Sequence, residues 1–101
     1  MADLDESLLA ARVTLPEHVV RRAFAEESIA LNLDTGQYHG LNPIAAAMID
    51  ALETGSTGEE VVQRFAQEYD ESTERIRGDL LRLLRDLTER GLVEIRDPGS
   101  L

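Results

Sequence analysis

The side chains that could support acid–base or metal chemistry are two histidines, His18 and His39, and twenty aspartates and glutamates. Neither histidine has a second ligand at metal-site spacing, so we predict no metal site. With twenty carboxylates in 101 residues, close acidic pairs are inevitable and do not indicate acid–base catalysis. No G-x-S-x-G sequence, Walker-type loop or Ser/His/Asp arrangement is present. The sequence therefore predicts a protein that is not an enzyme and has no cofactor.

Composition narrows the classes of protein further. The absence of cysteine excludes disulfides, thiol catalysis and cysteine-ligated metals. Ten basic and twenty acidic residues give a net charge of −10, which opposes binding to the phosphates of nucleic acid. No apolar run approaches the roughly 20 residues of a membrane span, and the N-terminal residues lack the basic and apolar pattern of a signal sequence. We therefore expect a single cytoplasmic domain without membrane or nucleic-acid partners.

A strand is predicted near the middle of the first half of the chain. Ile29, Leu31 and Leu33 alternate with Ala30 and Asn32. This period of two is typical of a strand with one buried face. We expect the three larger side chains to form that buried face.

A hairpin is predicted to follow this strand. Asp34-Thr35-Gly36 can form its loop, because glycine adopts the positive φ that short hairpin loops need. The returning strand, from Gln37 to Leu41, is short and stops at Asn42-Pro43. Such a strand is often the edge of its sheet, with unpaired backbone N–H and C=O groups. This edge is the leading candidate for the functional surface.

The residues before the hairpin predict one more strand, bent at Pro16. Arg12 to Leu15 and Val19 to Phe24 have strand character, and proline cannot donate to a central ladder. Together with the hairpin, this segment predicts a three-stranded antiparallel meander. Residues 1–11 are acidic and are expected to form a flexible lead-in, with Leu8 and Leu9 packed on the body.

Two helices are predicted after the meander. The first begins with Asn42 as N-cap and Pro43 in its first turn, and ends at Gly55. The second begins at Thr57, which has capping-box spacing to Glu60. Apolar residues at helical spacing mark the buried faces. In the first helix these are Ala45, Met48, Ile49 and Leu52, and in the second Val61, Val62, Phe65, Ala66 and Tyr69.

A third and longest helix is predicted from about Ser72 to Arg90, with a cap at Gly91. Its leucine-rich stripe is expected to be mainly core. The stripe contains Ile76, Leu80, Leu83, Leu84 and Leu87, with Leu81 at its edge. Residues 93–96 form a short terminal strand, and residues 97–101 form a tail. The predicted fold is α+β: a three-stranded antiparallel meander, three helices and a short terminal strand.

This ordered set of features resembles the PqqD-like family over residues 12–96. The features that carry the resemblance are the meander, Leu41-Asn42 opening a helix, Ile49 and Leu52 before Glu53-Thr54-Gly55, Tyr69, and the leucine-rich helix ending Arg90-Gly91-Leu92-Val93. The resemblance implies a winged-helix-like recognition domain that binds the leader of a ribosomally made precursor peptide. A free-standing acidic chain of this length is most similar to the leader-binding proteins of split lasso-peptide systems. The implied partners are a leader peptidase and, indirectly, a macrolactam-forming cyclase.

Carried over by position, the resemblance places the leader as an added strand beside Gln37–Leu41, against the third helix. Strand addition gives affinity through backbone bonds and specificity through side-chain pockets. The expected peptide-binding residues are Leu31, Leu33, Gln37, Tyr38, His39, Gly40, Leu41, Asp79, Arg82, Leu83, Asp86 and Leu87.

Several alternatives stay open from the residues alone. The helical cluster also fits a winged-helix DNA-binding regulator, since five arginines lie on the third helix among four acidic residues. Tyr38 and His39 fit ordinary strand positions, and Arg82 and Asp86 fit a solvated i,i+4 ion pair. An open edge strand can also pair with its own copy and form a homodimer.

Overall fold

The computed structural model describes residues 9–10, 12–24 and 27–96. Five strands are present in this part of the chain: β1 (Arg12–Thr14), β2 (Val19–Phe24), β3 (Glu27–Asn32), β4 (Tyr38–Leu41) and β5 (Glu94–Arg96). The α-helices numbered here are α1 (Pro43–Glu53), α2 (Gly58–Glu68) and α3 (Thr73–Glu89). None of the described helices is long and apolar enough to cross a membrane.

The strands form two sheets. β2, β3 and β4 make an antiparallel meander in that order, and β1 pairs separately with β5. The predicted meander, three helices and terminal strand are confirmed. The prediction of one first strand bent at Pro16 is wrong, because its two halves lie in different sheets. The Pro16 carbonyl accepts a hydrogen bond from Val19 N at 3.0 Å, and this turn separates β1 from β2.

The buried face of β3 is the reverse of the predicted one. Ser28, Ala30 and Asn32 are buried, whereas Ile29 and Leu31 are only half-buried. Leu33, just after the strand, is 59% exposed. The inward face packs toward α1, so small side chains allow close approach there. The alternation itself was predicted correctly, but the assumption that the larger side chains face inward was wrong.

The helix ends follow the local signals in the sequence. Asn42 accepts a hydrogen bond from Ala45 N at 2.8 Å, and Gly55 has φ +112° just beyond α1. Thr57 and Glu60 form both bonds of the predicted capping box. These caps satisfy backbone groups that a helix end leaves unpaired. The starts of α1 and α2 are therefore determined locally.

The core lies where the three helices meet the sheets. All six predicted apolar residues of α3 are buried, including Leu81 at the stripe's edge. Tyr69 was predicted to belong to the buried stripe of α2, but it is the C-cap residue and is 42% exposed. Its ring centroid lies 5.7 Å from that of Phe65. Tyr69 therefore covers one side of a core residue instead of entering the core.

Most of the predicted lead-in and all of the tail lie outside the described residues. Leu9 is buried against the start of α2. A Cβ added at Gly58 would lie 2.8 Å from Leu9 Cα, so Gly58 allows this backbone approach. Leu8 lies outside the described residues.

Gly78 offers a test of helix energetics that leaves the rest of the fold unchanged. A Cβ added there would meet nothing within 4 Å, and glycine in mid-helix costs about 1 kcal/mol relative to alanine. We expect Gly78→Ala to raise the free energy of unfolding by about 1 kcal/mol and Tm by about 4–8 °C. Thermal unfolding followed by circular dichroism measures this, and a lower Tm would contradict the open environment of Gly78.

Candidate functional site

β4 is an edge strand, and the hydrogen-bond pattern shows which of its backbone groups are free. Asn32 N donates to Gln37 O at 2.8 Å, and the register pairs Ala30 with His39. In an antiparallel ladder, alternate residues bond to the partner strand. His39 and Leu41 therefore face β3, while the N–H and C=O groups of Tyr38 and Gly40 face away from it. These four groups point toward the position that an additional strand would take.

A groove of about 330 Å³ lies beside this edge. Its walls come from β4, the start of α1 and one side of α3. Apolar side chains form its base and charged side chains its rim. The lining residues are His39, Gly40, Asn42, Ile44, Ala45, Met48, Asp79, Arg82, Leu83 and Asp86.

Ile44 is the part of the groove base that solvent reaches best. It is 39% exposed, whereas Met48 and Leu83 are buried below and beside it. Because the Ile44 side chain is partly exposed, one apolar side chain of a ligand can pack against it in the groove. The groove can therefore bind an extended segment that places an apolar residue toward α1 and α3.

Four polar side chains at the groove rim lie in two close pairs. Arg82 Nη1 lies 3.5 Å from Asp79 Oδ1, and His39 Nε2 lies 3.7 Å from Asp86 Oδ2. The predicted i,i+4 partner of Arg82 was Asp86. In the structure Arg82 pairs with Asp79, which lies three residues before it on α3. Asp86 instead faces His39 across the groove.

His39 also contacts one of the free edge groups. Its Nδ1 lies 2.6 Å from the Gly40 carbonyl oxygen. A carbonyl oxygen only accepts, so a hydrogen bond between these two atoms takes its proton from Nδ1. The imidazole thus covers an acceptor that an added strand needs.

Asn32 holds the two walls of the groove together. Its buried Nδ2 donates to the carbonyls of Arg90 at 3.3 Å and Gly91 at 3.2 Å, at the end of α3. Its Oδ1 accepts from Asp34 N at 2.9 Å and Thr35 N at 3.3 Å, in the hairpin turn. The side chain therefore fixes the β3–β4 hairpin relative to α3.

Arg21 lies on β2, at the edge of the sheet opposite β4, and joins this strand to α1. Its guanidinium bonds to Asp50 and, at 3.0 Å, to Glu53. Burial acts to lower the pKa of Arg21, but the hydrogen bonds and negative charges of these two carboxylates outweigh it and raise the pKa overall. This contact helps fix α1, which contributes Ile44 to the groove.

The structure brings only part of the predicted site together. His39, Gly40, Asp79, Arg82, Leu83 and Asp86 all line the groove. Leu41 and Leu87 are each 1% exposed and belong to the core beneath it. Leu31 and Tyr38 lie on the opposite face of the sheet, with Leu33 following that alternation. Gln37 is exposed just before β4.

Sequence reasoning missed the contribution of α1 to the groove. Asn42, Ala45 and Met48 line it, yet they were interpreted only as cap and core residues, and Ile44, which also lines it, was assigned no role. Ile44 carried a usable signal, because it is a large apolar residue outside the predicted stripe of its helix. Within the described ranges, no cluster of three or more potential metal ligands occurs.

Comparison with known proteins gives a family match and two similar solved structures. Residues 27–93 match the family described as coenzyme PQQ synthesis protein D, PqqD. The structure of TbiB1 in complex with the TbiA(beta) leader peptide is 31% identical with a TM-score of 0.71, over 80% of this chain and 94% of that chain.

A second solved structure shares the fold. It is a lasso peptide synthetase B1 complexed with the leader peptide, 24% identical with a TM-score of 0.77, over 83% of this chain and 99% of that chain. No curated protein matches. The family match covers more than half of the sequence, and the described fold fits the relatives over most of their length. This chain is a member of the PqqD family.

Proposed function

We propose that this chain is a leader-peptide-binding module without catalytic activity of its own. It captures a ribosomally made precursor, of the lasso-peptide class, by adding the leader as a strand to β4. The observation that carries the proposal is the outward edge of Tyr38 and Gly40 beside a groove with an apolar base. Support also comes from the 31% identical relative, whose structure contains a leader peptide.

The energetics indicate how many contacts the leader must make. The N–H groups of Tyr38 and Gly40 and the Tyr38 carbonyl can give about three backbone hydrogen bonds at ~1 kcal/mol net each, and the Gly40 carbonyl can give a fourth once His39 leaves it. An apolar side chain against Ile44 adds about 2 kcal/mol. Ordering a flexible leader and holding it in place opposes this gain by several kcal/mol. A micromolar complex needs about 8 kcal/mol net, so the leader must make further side-chain contacts along the groove and the sheet.

In this proposal the module acts by tethering. It holds the precursor at a leader peptidase, whose product then reaches a macrolactam-forming cyclase, and it breaks no bond itself. Tethering raises the local concentration of the substrate at the enzyme. The proposed recognition domain is residues 12–96, with a winged-helix-like arrangement.

DNA binding is the weaker alternative. Three α3 arginines are already engaged by carboxylates: Arg75 with Glu71, Arg77 with Glu59 and Arg82 with Asp79. No match supports a nucleic-acid ligand. Phosphate contacts would require these cations to leave their partners on a chain with net charge −10.

Fluorescence anisotropy tests the proposed function. A labelled leader from the precursor encoded beside this chain should bind saturably, and this binding should persist at moderate salt concentration. A scrambled leader and a short DNA duplex serve as controls. Binding to the duplex alone, with a steep loss of affinity in salt, would replace the proposal with DNA recognition.

Ile44→Asp should weaken leader binding about 30-fold, because it removes an apolar contact worth about 2 kcal/mol and adds a negative charge near Asp79 and Asp86. The fold should persist, because Ile44 is partly exposed in the free protein. Tyr69→Asp is the matched control, an exposed apolar residue that does not line the groove. Fluorescence anisotropy measures the leader affinity of both variants. An equal loss of affinity in Ile44→Asp and Tyr69→Asp would contradict the assigned role of Ile44.

His39→Ala should tighten leader binding several-fold. The substitution uncovers the Gly40 carbonyl, which becomes a free acceptor worth about 1 kcal/mol in a strand addition. The same anisotropy titration measures the change. A tenfold weaker affinity would instead mean that the imidazole contacts the leader directly.

A further inference from the structure

One imidazole in the groove lies between two hydrogen-bond acceptors. His39 Nδ1 is 2.6 Å from the Gly40 carbonyl oxygen, and His39 Nε2 is 3.7 Å from Asp86 Oδ2. The His39 side chain is 22% exposed, so it can exchange protons with solvent. We call this set of three groups the imidazole bridge: the His39 ring, the Gly40 carbonyl and the Asp86 carboxylate.

Only a protonated ring can satisfy both acceptors of the imidazole bridge. A neutral imidazole carries one N–H group, so it donates to the Gly40 carbonyl or to Asp86 but not to both. An imidazolium carries two N–H groups and a positive charge, so it donates to the carbonyl while it attracts the carboxylate. A hydrogen bond from a charged donor is also roughly twice as strong as one from a neutral donor. The imidazole bridge is therefore strongest when His39 is protonated.

The other groups that line the groove beside His39 include one further ion pair. α3 contributes Asp79, Arg82 and Asp86, and Arg82 lies 3.5 Å from Asp79. On β3 the residue that pairs with His39 is Ala30, which does not titrate. Of the two groove carboxylates, Asp86 is the one that forms an ion pair with the ring. The residues that α1 contributes do not titrate either: Asn42, Ile44, Ala45 and Met48.

An added strand competes with the imidazole bridge. A leader that pairs with β4 uses the Gly40 carbonyl as an acceptor, and the ring of His39 covers that oxygen in the free protein. Rotation of the His39 side chain uncovers the carbonyl and moves the ring away from its contact with Asp86. Leader binding therefore favours the neutral ring, and the proton passes from the ring to solvent. By linkage, the affinity for the leader then rises with pH.

Resting on the proposed function, we propose that the imidazole bridge makes leader binding sensitive to pH. Protonation of His39 holds the ring over the Gly40 carbonyl, and loss of the proton releases it. Asp86 acts through His39 and is a positioning residue. Leader affinity should fall about fivefold from about pH 8 to about pH 5.5, the range in which imidazoles titrate.

Fluorescence anisotropy across this pH range tests the proposal, with a labelled leader in which any histidine is replaced by asparagine. His39→Ala should give a flat pH profile, because no ring remains to titrate. Asp86→Asn should reduce the pH dependence, because the carboxamide attracts an imidazolium less than a carboxylate does. His18→Ala is the matched control. His18 lies 3.8 Å from Asp34 and does not line the groove, so this variant should keep the wild-type profile.

Isothermal titration calorimetry measures the released proton directly. Leader binding is followed at about pH 6.5, within the titration range of imidazoles, in phosphate and in Bis-Tris. These buffers differ in their enthalpy of ionisation, so the difference in heat counts the protons that binding releases. Wild type and His18→Ala should release protons to the buffer, whereas His39→Ala should release none.

The outcomes separate this inference from the proposed function. A leader affinity that does not change with pH, or a pH dependence that His39→Ala retains in full, overturns the imidazole bridge alone. A wild-type affinity that rises on acidification also overturns it, because the imidazolium would then attract the leader. Full pH dependence in Asp86→Asn would contradict the positioning role of Asp86. Failure of the wild-type module to bind the leader at any pH would overturn the proposed function itself.

Discussion

Gly40→Pro is expected to weaken leader binding by roughly 30- to 150-fold, or about 2–3 kcal/mol. Gly40 N–H points away from β3, so proline removes a donor to the added strand without removing a bond of the existing ladder. The ring also projects into the space that the added backbone must occupy. Anisotropy with the labelled leader measures the affinity, and far-UV circular dichroism should stay close to wild type.

Gly40→Ala is the matched control for this variant. An added Cβ meets nothing within 4 Å, and alanine keeps the N–H group. Its leader affinity should remain within about threefold of wild type, because the donor is retained. If proline and alanine bind the leader equally well, backbone pairing at β4 is not the mode of recognition.

Asn32→Ala is expected to lower the free energy of unfolding by about 2–4 kcal/mol. The substitution leaves two carbonyls at the end of α3 and two N–H groups in the hairpin turn without their partner. Unpaired buried polar groups cost more than the net value of the bonds they lose. Urea unfolding measures the loss, and a change below 1 kcal/mol would contradict the linking role of Asn32.

Asn32→Asp separates the two halves of this contact. Aspartate can still accept from Asp34 N and Thr35 N, but it presents an oxygen to the carbonyls of Arg90 and Gly91. We expect it to be at least as destabilising as alanine, because a buried charge then faces two acceptors. A smaller effect than that of alanine would mean that the turn contacts dominate.

Much of the fold could be predicted because its signals are local. The capping box at Thr57 and Glu60, the N-cap at Asn42 and the glycine after α3 each require only a few neighbouring residues. The stripe of α3 follows from its 3.6-residue period. These features do not depend on which other element packs against them.

The errors arose where the answer depends on a distant partner. The sequence pattern of β3 gives the alternation, but the inward face depends on how closely α1 and the end of α3 approach. Asn32 faces inward because carbonyls 58 and 59 residues away accept its hydrogen bonds. The separation of β1 from β2 likewise depends on its pairing with β5.

The candidate site could be predicted only where it depends on local sequence signals, and not where it depends on how distant elements pack. The edge of β4 follows from a short strand that ends at a helix start, so His39 and Gly40 could be found. Ile44 was recognisable as an apolar residue outside the buried stripe of its helix, but its place in the groove depends on the angle between α1 and α3. The backbone of Tyr38 lies at the edge of the sheet, but its exposed side chain lies on the face of the sheet away from the groove.

Amide hydrogen exchange of Tyr38 and Gly40, measured by NMR with and without the leader, tests the central claim most directly. Both N–H groups face away from β3, so they should exchange quickly in the free protein and become protected when an added strand accepts their hydrogen bonds. The amides of His39 and Leu41 already bond to β3 and should change little. Saturating leader that leaves Tyr38 and Gly40 exchanging as before would contradict strand addition at β4.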